Sequence, residues 1–119
     1  NSMKLFEGSK EFLRDFIFIQ DVLSVNNFFY TSKQSGIYNC GTGKARSFYD
    51  IAAHLKGRFD GASIDFIPFP AELKGRYQTF TEADMTQLCS VGYTHKFTAL
   101  EDGIDAYFKV LNDSNGFLV

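Results

Sequence analysis

Arg14-Asp15-Phe16-Ile17-Phe18-Ile19-Gln20-Asp21-Val22 is the stretch on which the fold turns. Residues 15–19 are almost continuously apolar and rich in aromatic and β-branched side chains, which suits a buried strand. Arg14 heads that strand, and a charge in such a place needs a partner. Asp21 then reads as the N-cap of a helix to about Thr31, with Val22, Val25 and Phe29 on one face. A strand that feeds directly into a helix predicts an α/β layout.

Working outward, residues 32–36 form a polar turn, and Ile37-Tyr38-Asn39-Cys40 reads as a second short strand running into Gly41-Thr42-Gly43. Ser47 with Asp50 resembles a capping box, followed by an apolar stripe of Phe48, Ile51, Ala52 and Leu55. Residues 64–69 are a third strand, ended by Pro68 and Pro70, and residues 71–80 are irregular. Thr81 is expected to cap a helix to about Val91, stopped by Gly92. Thr98 with Glu101 is expected to cap the last helix, where Leu100, Ile104, Phe108 and Leu111 share a face. Upstream, residues 1–9 close on the turn Gly8-Ser9, and Asn1-Ser2 ahead of Met3 reads either as a non-native cloning remnant or as the raw end of a longer protein. The expectation is short parallel strands and four helices, with a sheet too narrow to stand alone.

The 119 residues suffice for one domain, and 14 Phe with 6 Tyr are too apolar for a disordered chain. Phe16, Phe18, Phe28, Phe29, Phe48 and Phe66 carry more ring surface than three strands hide, so a homo-oligomer or a covering domain is expected. Net charge is −2 with the signs well mixed, which excludes general binding of nucleic acid but leaves room for one small anionic ligand. No segment has the apolar length of a membrane span and the N-terminus has no signal-peptide pattern, so the chain reads as soluble and cytoplasmic, with no membrane partner. Cys40 and Cys89 read as two small buried thiols in a reducing compartment. His54 and His95 lie far from both in sequence, so no metal site is expected.

Gly41-Thr42-Gly43-Lys44 tempts a phosphate-loop reading. Tyr38 stands where the first P-loop glycine belongs, and Arg46 where the third dinucleotide glycine belongs, so both readings fail. None of the six tyrosines has lysine four residues later, which removes the proton-transfer pair of short-chain dehydrogenases. What remains suits an anionic ligand. Arg14 has a guanidinium fork that matches phosphate, Lys74, Arg76 and Tyr77 cluster after a strand end, and Glu7-Gly8-Ser9 offers polar groups in a tight turn.

The order of these pieces resembles extended short-chain dehydrogenase/reductases that act on nucleotide sugars. The combination of Leu5-Phe6-Glu7-Gly8-Ser9, Ile67-Pro68-Phe69-Pro70 and Leu73-Lys74-Gly75-Arg76-Tyr77-Gln78 is similar to the ADP-L-glycero-D-manno-heptose 6-epimerases among them. The resemblance implies that residues 1–119 are the C-terminal substrate-binding region of a Rossmann-type enzyme whose N-terminal NADP-binding domain is absent. It implies NADP-dependent oxidation and reduction at C6″ of ADP-heptose, for the lipopolysaccharide inner core. Residues matching Phe6, Glu7, Gly8, Ser9, Arg14 and Tyr77 would contact substrate, with Lys74 and Arg76 suited to its diphosphate. The family's glycine loop and catalytic Tyr-x-x-x-Lys have no counterpart here, so no catalytic residue, no bound NADP and no turnover are expected of this chain alone. The expected partners are ADP-heptose, the missing N-terminal domain and further copies of the chain. The alternative is a stand-alone, non-catalytic α/β nucleotide-binding module.

Overall fold

Two short parallel strands frame the molecule: β1 (Ser2–Phe6) pairs with β4 (Ser63–Ile67), Ser2 opposite Ser63 through Phe6 opposite Ile67. The computed structural model describes residues 2–114, so Asn1, and with it the reading of a raw end, lies outside the described residues. A second pair is antiparallel, β2 (Leu13–Arg14) with β3 (Arg46–Ser47), and Leu13 also bridges to Phe80. Among the described residues four α-helices complete the α/β fold: α1 (Ile19–Ser32), α2 (Phe48–Lys56), α3 (Thr86–Ser90) and α4 (Leu100–Asp113). A 3₁₀ turn, Ala71–Leu73, lies within the irregular stretch after β4.

Several elements follow the sequence closely. The capping box forms as expected, Asp50 N donating to Ser47 Oγ at 3.0 Å and Ser47 N to Asp50 Oδ2 at 3.0 Å. Gly92, at φ +94°, ends the turn after α3. Strand β1 was not foreseen; it exists because β4 lies beside it.

Other expectations are corrected. Residues 15–18 form no strand, and the helix begins at Ile19 with Phe18, not Asp21, in the N-cap position. Asp21 is used at long range instead, its carboxylate accepting from Thr98 N at 2.9 Å and Thr98 Oγ at 3.0 Å. That also removes Thr98 as a cap: α4 starts after Ala99, with no side-chain cap. Glu101, its expected capping partner, takes a two-point grip from Arg46 at 2.7 and 3.4 Å. Residues 81–85 have no regular structure, so α3 is one short turn rather than a helix from Thr81. Residues 37–40 form no strand, since nothing described lies beside them to accept the ladder, and Ile37 is 94% exposed. Both cysteines are exposed rather than buried.

The core is small. Val25, Leu88 and Tyr93 are buried together, with Phe28, Phe29, Tyr38, Met85 and Phe97 packed around them. Tyr93 brings its hydroxyl to Ser24 Oγ at 3.1 Å, so the ring is buried with its polar end satisfied. On the far side α2 packs across β1 and β4 and against α4. One flank of that helix pair is ionic: Arg46 joins Asp50 and Glu101, and Asp105 receives both His54, at 2.6 Å, and Arg58. The whole is a slab, 48 × 40 × 21 Å with a radius of gyration of 17.0 Å. A compact chain of this length would have a radius near about 13.5 Å. Its surface, 8444 Å², likewise exceeds the about 6,500 Å² of a self-contained monomer of this mass.

Candidate functional site

The sequence places a turn, Glu7-Gly8-Ser9, directly after β1, and the structure explains why glycine stands in it. Gly8 has φ +86°, and a Cβ there would come within 2.9 Å of the Phe12 ring. The turn closes through Ser9 N to Phe6 O and Phe12 N to Gly8 O, both 3.0 Å. This drives Phe12 inward against Phe69 and Tyr77, with ring centroids 5.2 and 4.9 Å away, while Phe6 meets Phe69 edge-on at 5.5 Å. Edge-on and tilted contacts of this kind fix ring orientation.

Beneath these rings is a cavity of about 200 Å³, lined by Phe6, Ser9, Phe12, Phe48 and Tyr77 among others. Ser9 is 2% exposed and its Oγ is buried with no hydrogen-bond partner. A buried hydroxyl without a partner costs stability, so its presence at a cavity wall is a mark of a ligand-facing group.

Arg14 stands at the rim. Its guanidinium carbon lies 5.2 Å from the Tyr77 ring centroid and 6.0 Å from that of Phe48, both of which line the cavity. One Nη donates to Leu13 O at 2.8 Å and the other to Gln78 O. The rest of the fork is unused, and no carboxylate pairs with Arg14 among the described residues. A half-buried cation held by carbonyls and aromatic faces, with donors to spare, suits an anionic oxygen group.

Phe6, Ser9 and Tyr77 thus meet at one cavity, with Gly8 shaping the turn and Arg14 at the edge. Glu7 is exposed beside them, its backbone N bonded to Ile67 O at 2.9 Å. Lys74 and Arg76 are exposed on the turn before Tyr77 and do not line the cavity.

The glycine turn at residues 41–43 has a different occupant. Asp15 accepts from Thr42 N at 2.8 Å, Thr42 Oγ1 at 2.5 Å, Gly43 N at 2.9 Å and Ala83 N at 3.1 Å. Burial pushes the Asp15 carboxyl up, but these four donors outweigh it and leave it below the usual carboxylate range. Gly41 is glycine because a Cβ would sit 2.5 Å from both Ala83 Cβ and Asp15 Oδ2. With its amides already taken by a carboxylate, this turn does not fit a dinucleotide phosphate. Among the described residues no group of three or more His, Cys, Asp or Glu is placed to hold a metal.

No family model matches the chain. A curated relative does: it is 51% identical over 118 residues to the ADP-L-glycero-D-manno-heptose-6-epimerase of Brachyspira hyodysenteriae. The similarity to that epimerase runs through 98% of this chain. The match covers 37% of the relative, so the chain spans little more than a third of its length. The crystal structure of the Helicobacter pylori ADP-L-glycero-D-manno-heptose-6-epimerase superposes with a TM-score of 0.76 at 30% identity, over 93% of this chain and 33% of that one. An NAD-dependent NDP-hexosamine 5,6-dehydratase of tunicamycin biosynthesis gives 0.75 at 23% identity, over 94% of this chain and 36% of its own, and shares the fold.

Phe12, Phe48 and Phe69 were not among the residues singled out as site-forming in the sequence. Nothing in their spacing marks them, since they come from three separate segments. Asp15 did leave a signal: a carboxylate inside an otherwise apolar run must be satisfied by something.

Proposed function

We propose that this chain is the C-terminal, substrate-binding region of an epimerase that converts ADP-D-glycero-D-manno-heptose to ADP-L-glycero-D-manno-heptose. The reaction in this reading is oxidation and re-reduction at C6″ with NADP, in the cytoplasm, for the lipopolysaccharide inner core. The dinucleotide would be held by a part of the protein that precedes these residues, because the turn at residues 41–43 is filled by Asp15.

The observation that carries the reading is Arg14. It is a half-buried guanidinium without a carboxylate partner among the described residues, stacked beside a cavity into which the unpartnered Ser9 hydroxyl is built. In this role the Arg14 fork grips the diphosphate, Ser9 supplies a hydrogen bond, and Tyr77 forms a wall held upright by Phe12 and Phe69. Glu7, Lys74 and Arg76 are exposed and do not line the cavity; in this role the two cations add attraction for phosphate without fixing its position. The similarity to two ADP-heptose epimerases makes this ligand, rather than another nucleotide sugar, the one proposed. The excess surface of the slab supports an N-terminal domain, or a second copy of the chain, as its covering partner.

The test is conversion of ADP-D-glycero-D-manno-heptose by the longer protein and by this chain, each with NADP. Turnover by the longer protein alone is expected. Turnover by the chain freed of longer enzyme, or none by either, overturns the proposal. In the longer protein, Arg14→Ala is expected to weaken substrate binding by about 1.5–3 kcal/mol, with lysine restoring only part because it lacks the planar fork. Unchanged affinity in a binding titration would make Arg14 structural.

A further inference from the structure

A second cleft, of about 740 Å³, opens between the glycine turn, residues 93–98 and the start of α4. Phe16 lines it and packs edge-on, 5.3 Å between centroids, against Phe48, which lines the Ser9 cavity. The two spaces therefore share an aromatic partition but not an opening residue.

Its basic groups are not equivalent. Arg46 is committed to Asp50 and Glu101. Lys44, His95 and Lys96 have no ion-pair partner among the described residues. Asp102 is the one carboxylate on the lining. The apolar part of the wall is Phe16, Met85, Tyr93 and Phe97, with the His95 ring tilted against Tyr93 at 5.3 Å. The first turn of α4, which starts without a side-chain cap, borders the same space and adds to a field that the lysines set. Two unpaired ammonium groups match the charge of one phosphate monoester, close to −2 at neutral pH. The aromatic wall matches a flat, weakly polar body attached to it.

We propose that this cleft binds a small phosphorylated ligand of the nucleoside monophosphate class, its phosphate on Lys44 and Lys96 and its base against the half-buried ring of Phe97. The site does not depend on the epimerase reading, because none of these residues lines the Ser9 cavity.

The experiment titrates the ¹⁵N-labelled chain with AMP and follows the amide resonances of Thr94, Lys96 and Leu100. Saturable shifts are expected, shrinking as salt is raised. Lys44→Ala and Lys96→Ala should each weaken binding about tenfold, the size of one lost charge-assisted hydrogen bond. Lys44→Arg should keep most of it, which separates loss of charge from loss of fold. Arg14→Ala should leave these shifts unchanged. The proposal fails if the three resonances do not move, if their shifts survive the Lys44→Ala/Lys96→Ala double variant, or if Arg14→Ala abolishes them, since AMP would then be reporting the other cavity.

Discussion

Residues 37–40 and residues 41–43 are neighbours in the chain and opposites in what they show. The first four have the composition of a strand and form none; Ile37 is 94% exposed. The next three have the composition of a phosphate loop, yet the amides of Thr42 and Gly43 are taken by the Asp15 carboxylate, far upstream in the chain. Side-chain preference predicts a strand at residues 37–40 that does not form and a tight turn at residues 41–43 that does. What decided their fate was whether a partner for their backbone groups lies within reach, and only the turn has one.

The sharpest way to break this contrast is Asp15→Ala. Thr42, Gly43 and Ala83 would lose the acceptor of their N–H groups together, tethering three distant segments no longer. A loss of about 2–4 kcal/mol is expected in denaturant unfolding, less than a sum of separate bonds because water reaches part of the site. A change below about 0.5 kcal/mol would mean that the turn holds its shape unaided.

Acid should sharpen it next. The Asp15 carboxyl lies below its ordinary value of 3.8, so the folded state binds its proton less readily than the unfolded chain. Its contribution is therefore fully present above that ordinary value and is lost as the pH falls through the lowered one. Asp50 has the same sign: burial pushes it up, but hydrogen bonds from Ser47 and Arg46 prevail. Urea midpoints measured from pH 7 down to pH 3 should fall, and Asp15→Asn should show a shallower fall than the parent. Equal slopes would remove Asp15 from the acid response.

The smallest effect belongs to Ile37. Ile37→Lys should shift stability by no more than about 0.5 kcal/mol, since almost nothing touches the side chain. The same change should lower self-association of the chain in light scattering, because a charge on an unpaired extended segment opposes pairing with another chain. A large loss of stability would show that the Ile37 side chain is packed after all. An unchanged mass above one chain would place the association elsewhere on the surface.

The same rule explains what could be read in advance. Ser47 and Asp50 were legible as a capping box because both halves of the interaction lie three residues apart. The α4 stripe was legible because helical spacing needs no distant partner. Asp21, Thr98 and Glu101 were misread because each has a good local role and a better distant one, with Thr98 going to Asp21 and Glu101 to Arg46. At the candidate site, Arg14, Ser9 and Tyr77 were visible through motif order, whereas Phe12 and Phe69 gained meaning only once the Gly8 turn had pushed one ring against the other.

The slab has a kinetic consequence as well. At 21 Å it is about two helix diameters thick, so nearly every hydrogen-bonded amide is a single side chain away from bulk water. Opening one turn exposes it without disturbing the next, and amide deuteration should run through most of the molecule by local fluctuation rather than by cooperative unfolding. The slowest sites should gather where Val25, Leu88 and Tyr93 close over one another, leaving the rim around Arg14 among the quickest to exchange until something binds there.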